Sequence, residues 1–255
     1  MKKIFFMISI FSFSAGSLFA TETITVATAS NFSSPVKKIA ALFSSRNPEI
    51  AVSIVTGASG KLTTQIENGA PFDVLLSADR QYCEKLAKEK LTAGDPYIFA
   101  YGILILFSVH ENIFFSGPSA LSNTSVKKIV LANPKLAPYG TAAVSFLSST
   151  GLLSQLEPKL VYAENVSQAA QFALSAADAG FIAKSALMDA SFDKYRNKKF
   201  WIEIDSRTYP PLEHTAVILK RAEKKEAASS FFKFLQSEQA QEILSKYGYI
   251  SRVSP

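Results

Sequence analysis

Strand-like segments alternate with segments of helical period from residue 23 onward, and this alternation limits the folds open to the chain more than any single motif does. "TITVATAS" (23–30) reads as a buried strand, after which Phe32, Val36, Ile39, Ala40 and Phe43 recur at helical spacing. "IAVSIVTG" (50–57) is a second strand, and Leu62 and Ile66 mark a short helix ending near Gly69. "FDVLLSA" (72–78) is a third, followed by the charged helix "DRQYCEKLAKEK". After "YIFAYGILILFSV" the pattern begins again. "KKIVLANP" is a strand and "GTAAVSFLSSTGLL" a helix, "KLVYAEN" a strand, then a helix face of Val166, Ala169, Ala170 and Ala173. "AGFIA", "KFWIEI" and "HTAVILK" are later strands, and one closing helix carries Phe231, Phe234, Leu235, Ile243, Leu244 and Tyr247, stopped by Gly248. Strands alternating with helices predict an α/β fold with mainly parallel sheet flanked by helices. The two runs are not copies of each other, and no Gly/Ser or Pro linker divides them. The economical reading is two lobes joined by crossing strands: residues 21–102 with 214–255 in lobe 1, and 103–213 in lobe 2.

The first twenty residues stand apart. "MKKIFFMISIFSFSAGSLFA" has two lysines, an apolar run and small residues leading to Ala20, the layout of a secretory signal peptide over 1–20. The longest later apolar stretch, "IFAYGILILFSV" (98–109), has the length of a strand or core segment and is too short to span a bilayer. An exported, periplasmic protein is expected. Cys83 is the only cysteine, so the fold must rest on its core, and 48% hydrophobic residues in 255 supply one. The formal charge of +6 includes Lys2 and Lys3 of the leader, and the remaining excess is too small and scattered to suggest nucleic acid.

Ligands of open α/β sheets bind outside the carboxyl ends of strands, where helices begin. Four such junctions stand out. They are Ser30 and Asn31 in "ATASNF", Ser59 as a cap in "TGASGKLTTQ", Pro138, Tyr139 and Gly140 in "NPKLAPYGTAA", and Asn165 capping Val166 in "AENVSQAA". Each offers N–H groups without intrahelical acceptors and the positive end of a helix dipole, which suits an anion. Ser and Asn also favour caps in helices with no ligand at all, and Ser33 or Ser34 with Pro35 can equally start the first helix. Lys61 and Lys184 are the nearby cations. The glycine and lysine spacing in "TGASGKLTTQ" does not match a phosphate-binding P-loop. A hydrolase fares poorly, since there is no G-x-S-x-G elbow and His110 and His214 sit in no catalytic motif. Zinc-type ligand spacing is absent as well.

Four blocks, "TASNF", "ASGKLTTQIENGAPFDVLLSAD", "ANPKLAPYG" and "AGFIA", occur in that order, followed by "FLQSEQAQEILSKYGYI". In this the chain resembles the periplasmic molybdate-binding proteins of ABC importers, over nearly its whole mature length. The resemblance implies a two-lobed type II binding-protein fold that closes on molybdate or tungstate, with no catalysis and no cofactor. The implied oxyanion ligands are Ser30, Asn31, Ser59, Tyr139 and Val166, acting largely through backbone N–H groups, with no direct protein–metal bond. Ala183 departs from members that place a Tyr hydroxyl on the anion, and Tyr139 is expected to take over that role. The implied partners are a membrane permease and an ATPase, with the protein itself a monomer. Sulfate or phosphate is the alternative cargo.

Overall fold

The computed structural model describes residues 22–114 and 116–251. The expected leader lies outside these residues. Two sheets organise the molecule. The first has strand order β11-β4-β10-β3-β1-β2, formed by β1 (Glu22–Ala29), β2 (Ile50–Gly57), β3 (Val74–Ser77), β4 (Thr92–Tyr101), β10 (Glu213–Leu219) and β11 (Ile250–Ser251). The second has order β7-β6-β8-β5-β9, formed by β5 (Leu104–Phe107), β6 (Ile129–Ala132), β7 (Leu160–Ala163), β8 (Ala179–Ala183) and β9 (Trp201–Glu203).

Both sheets are parallel where the chain winds strand–helix–strand and antiparallel where the crossing strands enter. β1 pairs in parallel with β2 and β3, and β6 with β7 and β8. β10 pairs antiparallel with β3 and β4, and β5 antiparallel with β8 and β9. The apolar stretch after residue 96 therefore spans both halves: β4 ends at Tyr101 and β5 begins at Leu104, with Gly102 and Ile103 between. Gly102 is confined there. A Cβ added to it would fall on the Tyr139 hydroxyl and within 2.6 Å of His214 Nε2.

Helices cover both faces of each sheet, which explains why the central strands read as unbroken apolar runs. α1 (Ser33–Arg46), α7 (Glu226–Leu235) and α8 (Glu238–Lys246) bury Phe43, Phe231 and Leu244 on one face of the first sheet. α2 (Ser59–Glu67) and α3 (Arg80–Lys88) bury Leu62, Ile66, Cys83 and Leu86 on the other. In the second sheet, Leu104 and Leu106 face the cluster of α4 (Pro138–Ser149) and α5 (Leu153–Leu156), while Ile105 and Phe107 face that of α6 (Val166–Ser175). Among the described residues, no helix is long and apolar enough to cross a membrane.

Two expected helices are each split in two. The closing helix breaks at Gln236 and Ser237, where Ser237 caps α8 by accepting the Ala240 N–H at 3.3 Å. The helix after "PYG" ends at Ser149, because Gly151 takes φ +73° before α5 starts. The 3-10 segments Gly117–Ser122, Lys184–Met188 and Ala190–Tyr195 carry no periodic apolar signal that would announce them in the sequence.

"GAPFDVLLSAD" owes its Asp73 to a tie between β1, β3 and the start of α7. The buried carboxylate accepts the Thr25 N–H at 2.8 Å and pairs with Arg221 and Lys225 at 3.1 Å each. Asp73→Ala removes an acceptor shared by three donors. It is expected to lower unfolding free energy by about 2–3 kcal/mol, below the roughly 3–5 for a fully buried pair because both cations are partly exposed. Chemical denaturation with the slope held constant measures it.

Candidate functional site

Four strand-to-helix junctions, two from each half, converge on one point between the sheets. Ser30 and Asn31 form a 3-10 turn between β1 and α1. Ser59 opens α2, Tyr139 lies in the first turn of α4, and Val166 opens α6. All five line a single cavity of about 10 Å3. Sites for drug-sized ligands run to roughly 300–1,000 Å3, so the occupant here is compact. None of the residues lining it carries a formal charge.

Local sequence explains why these helices start here. Asn165 caps α6, its side chain accepting the Gln168 N–H at 3.0 Å, as expected. Pro138 opens α4 with a residue that has no N–H to lose. Gly140 lets α4 approach β6 closely, since a Cβ there would run into the Ala132 carbonyl and lie 2.8 Å from its carbon.

One expectation needs correcting. Ser59 does not cap α2: Ala58 occupies the cap position and makes no side-chain cap bond, and Ser59 is the first helical residue. Its Oγ instead accepts the Ala78 N–H at the end of β3, at 3.0 Å. A hydroxyl has one hydrogen, so accepting from Ala78 leaves the Ser59 hydrogen free to donate. Ser30 is arranged alike, its Oγ accepting the Ser167 N–H across the cleft at 3.4 Å. The first N–H groups of α2, α4 and α6 have no acceptors inside their helices.

The nearby cations do not reach the cavity. Lys61 pairs across the cleft with Glu164 at 2.5 Å, and Lys184 with Glu203 at 2.8 Å. The halves also meet through the Gly60 N–H on the Leu136 carbonyl at 2.9 Å and the Ser34 hydroxyl on Asp189 at 2.6 Å. A second cavity of about 190 Å3 adjoins the first and shares Ser30, Asn31 and Val166 with it. Ala183 lines it, the position where a larger side chain was considered, and Asp189 is the charged residue in its wall.

Behind the site lies a buried polar cluster that leaves no local mark in the sequence. His214 Nε2 is 3.3 Å from Asn31 Nδ2 and 3.4 Å from the Tyr139 hydroxyl. The Tyr249 hydroxyl accepts from Asn31 Nδ2 at 2.8 Å and lies 2.9 Å from the Asn31 carbonyl and 3.2 Å from Ser185 Oγ. Tyr139 therefore directs its hydroxyl toward the crossing strands, and its ring is fully enclosed. Cys83 is also buried, which pushes its thiol up and leaves it unreactive. Among the described residues, no group of three or more His, Cys, Asp or Glu gathers as a metal site.

Burial pushes His214 down to about 3, so the folded protein holds the imidazole neutral. An unfolded chain takes that proton near pH 6.5, so this residue lowers stability as pH falls from about 6.5 to about 3. Asp79, raised to about 6 chiefly by burial, acts in the opposite sense, because its folded form takes up a proton first as pH falls. Replacing the imidazole in His214→Leu should remove one of the two trends. Relative to the parent, the variant should gain about 1.4 kcal/mol of unfolding free energy per pH unit lowered between 6 and 4. Denaturation at several pH values reads the slope, and a constant difference would contradict a neutral buried imidazole.

Comparison with known proteins places this architecture. The family model described as "Bacterial extracellular solute-binding protein" matches residues 24–250. A molybdate-binding protein ModA from Rhodobacter capsulatus is 35% identical over 234 residues, covering 91% of this chain and 90% of that one. The ModA of Azotobacter vinelandii is 36% identical over 228 residues, covering 88% of each. The solved periplasmic molybdate-binding protein of Azotobacter vinelandii superposes with a TM-score of 0.83 at 31% identity, covering 89% of this chain and 98% of that one. The chain belongs to the bacterial extracellular solute-binding proteins, a family that binds its solute and does not transform it.

Proposed function

We propose that this member of the bacterial extracellular solute-binding proteins is the periplasmic molybdate-binding component of an ABC importer. The observation that carries the reading is an uncharged cavity where helix starts from both halves converge, in a chain more than a third identical to a molybdate-binding relative. Tungstate, with the same charge and shape, is taken as a second cargo. The ligand set is the Ser30 and Ser59 hydroxyls, the Asn31 amide, and the N–H groups of Tyr139 and Val166.

The chemistry follows from using neutral donors. An unprotonated tetrahedral dianion accepts every hydrogen bond, whereas a protonated one presents its own donor to donors. Hydrogen bonds to a charged group contribute roughly 1.5–3 kcal/mol each, so a handful reaches sub-micromolar affinity after desolvation. Attraction by lysine or arginine would draw any dianion alike and would hinder release. Selection between molybdate and the smaller sulfate then rests on fit, because an anion too small for the cavity leaves donors unmet.

Closure is the other half of the mechanism. Residues 21–102 with 214–255 act as one lobe and 103–213 as the other, pivoting where β4 passes into β5 and where the chain returns to β10. The Gly102 N–H on the Leu212 carbonyl, at 2.9 Å, ties the two crossings together. The leader over 1–20 directs export, and the loaded protein, a monomer, presents both lobes to a permease whose ATPase drives import.

Molybdate and tungstate should each raise the melting temperature of the purified protein, with sulfate and phosphate giving little. A larger shift with sulfate would transfer the site to that anion. Ser59→Ala should weaken binding by about 1–3 kcal/mol, read by calorimetry as a higher Kd at unchanged stoichiometry. An unchanged Kd would take Ser59 out of the site.

A further inference from the structure

Asn31 is buried at the edge of both cavities, and its carboxamide is placed unfavourably for an anion. Nδ2 meets Tyr249 and His214, while Oδ1 has no partner at all. A bare carbonyl oxygen beside a cleft built of donors opposes an anion and is itself costly to bury. The carboxamide is nearly symmetric in shape, so a half-turn fits the same space and changes only which atom meets which neighbour.

The turned arrangement gives Oδ1 the partners it lacks, while His214 Nδ1 stays without one either way. Oδ1 then accepts from the Tyr249 hydroxyl at the 2.8 Å position and from His214 Nε2 at the 3.3 Å position. Ser185 Oγ, 3.3 Å from the Asn31 carbonyl, serves that oxygen. Nδ2 then takes the position where Oδ1 had no partner, in a residue that lines both cavities, and both its hydrogens are left to donate. The arrangement requires the imidazole proton on Nε2. The other tautomer would turn Nε2 into an acceptor and draw the Asn31 amide away from the anion.

We propose that His214 is a positioning residue for the oxyanion site: as its Nε2–H tautomer it holds the Asn31 carboxamide oxygen, so that the Asn31 NH2 faces the bound anion. This rests on the oxyanion-binding reading and names a residue outside the ligand set. It also gives a reason for placing an imidazole at the crossing strands, within reach of Asn31 from one lobe and Tyr139 from the other.

The test uses the 15N-labelled protein loaded with whichever of molybdate, tungstate, sulfate and phosphate binds most tightly by calorimetry. Long-range proton–nitrogen correlation spectra report the tautomer of each imidazole, and His110→Gln assigns the only other one. The expected result is Nε2–H at His214, with the Asn31 side-chain NH2 resonances shifting on loading. An Nδ1–H tautomer in the loaded protein overturns the proposal. His214→Gln keeps a donor and should hold Kd within about threefold, whereas His214→Leu should raise it about tenfold, the loss of one net hydrogen bond. Equal weakening by both variants reduces the histidine to packing and also overturns it. If His214→Leu does not fold, the spectra of the parent protein still decide. Binding of none of the four anions sinks the oxyanion reading and this inference with it, while tight binding with the wrong tautomer sinks this inference alone.

Discussion

Helices that begin at a common point leave N–H groups which their own backbones cannot receive, and the rest of this structure is arranged around that deficit. Three helix starts and a 3-10 turn meet at one cavity whose walls carry no formal charge. Water can fill such a place, but an oxyanion fills it better, because each of its oxygens accepts several bonds and the helix dipoles add to the attraction. The sheets exist, in this sense, to aim helices. β1, β2 and β3 run parallel so that their carboxyl ends, and the turns that follow, lie side by side. β6 and β7 do the same from across the cleft.

On the proposed reading the two halves part to admit an anion, which requires the contacts between them to be weak singly. The Lys61–Glu164 pair lies at the surface with both side chains about half exposed, where ion pairs contribute roughly 0–1 kcal/mol. The Gly60 bond to Leu136 is one neutral hydrogen bond, worth about 1 kcal/mol net. Neither holds the cleft shut unaided. On the same reading, a dianion bonded to both sides supplies the difference and so favours the closed arrangement. The crossing segments, in contrast, are crowded: Gly102 has no room for a methyl group beside Tyr139 and His214.

Much of this was legible in the sequence, for reasons that also mark where legibility stopped. β2 and β8 occupy the stretches that their apolar, β-branched composition indicated, and Asn165 caps α6 as its position before an apolar helical face suggested. These are local effects, settled within a few residues. Ser59 was expected to cap α2 and is instead its first residue, a difference of one position, and its partner Ala78 lies just past the end of a different strand. The break at Ser237 was written in the sequence as a serine followed by Glu238, yet the apolar period runs across it through Phe234, Leu235 and Leu244 and concealed it. The cluster around His214 had no local trace. Its members are separated by 183 residues for Asn31 and 75 for Tyr139.

Distance in sequence also explains why a histidine there can be informative. A side chain near an anion site that merely packs could be any apolar residue, and Phe32 and Phe99 show that such residues fit the same neighbourhood. An imidazole costs more to bury, since only one of its nitrogens finds partners and Nδ1 is left with none. That cost is tolerated when the paired nitrogen performs a task an apolar ring cannot. Here the task open to it is orientation: a neutral donor at Nε2 fixes which end of a neighbouring amide looks into the cleft, without introducing the positive charge that the rest of the site excludes.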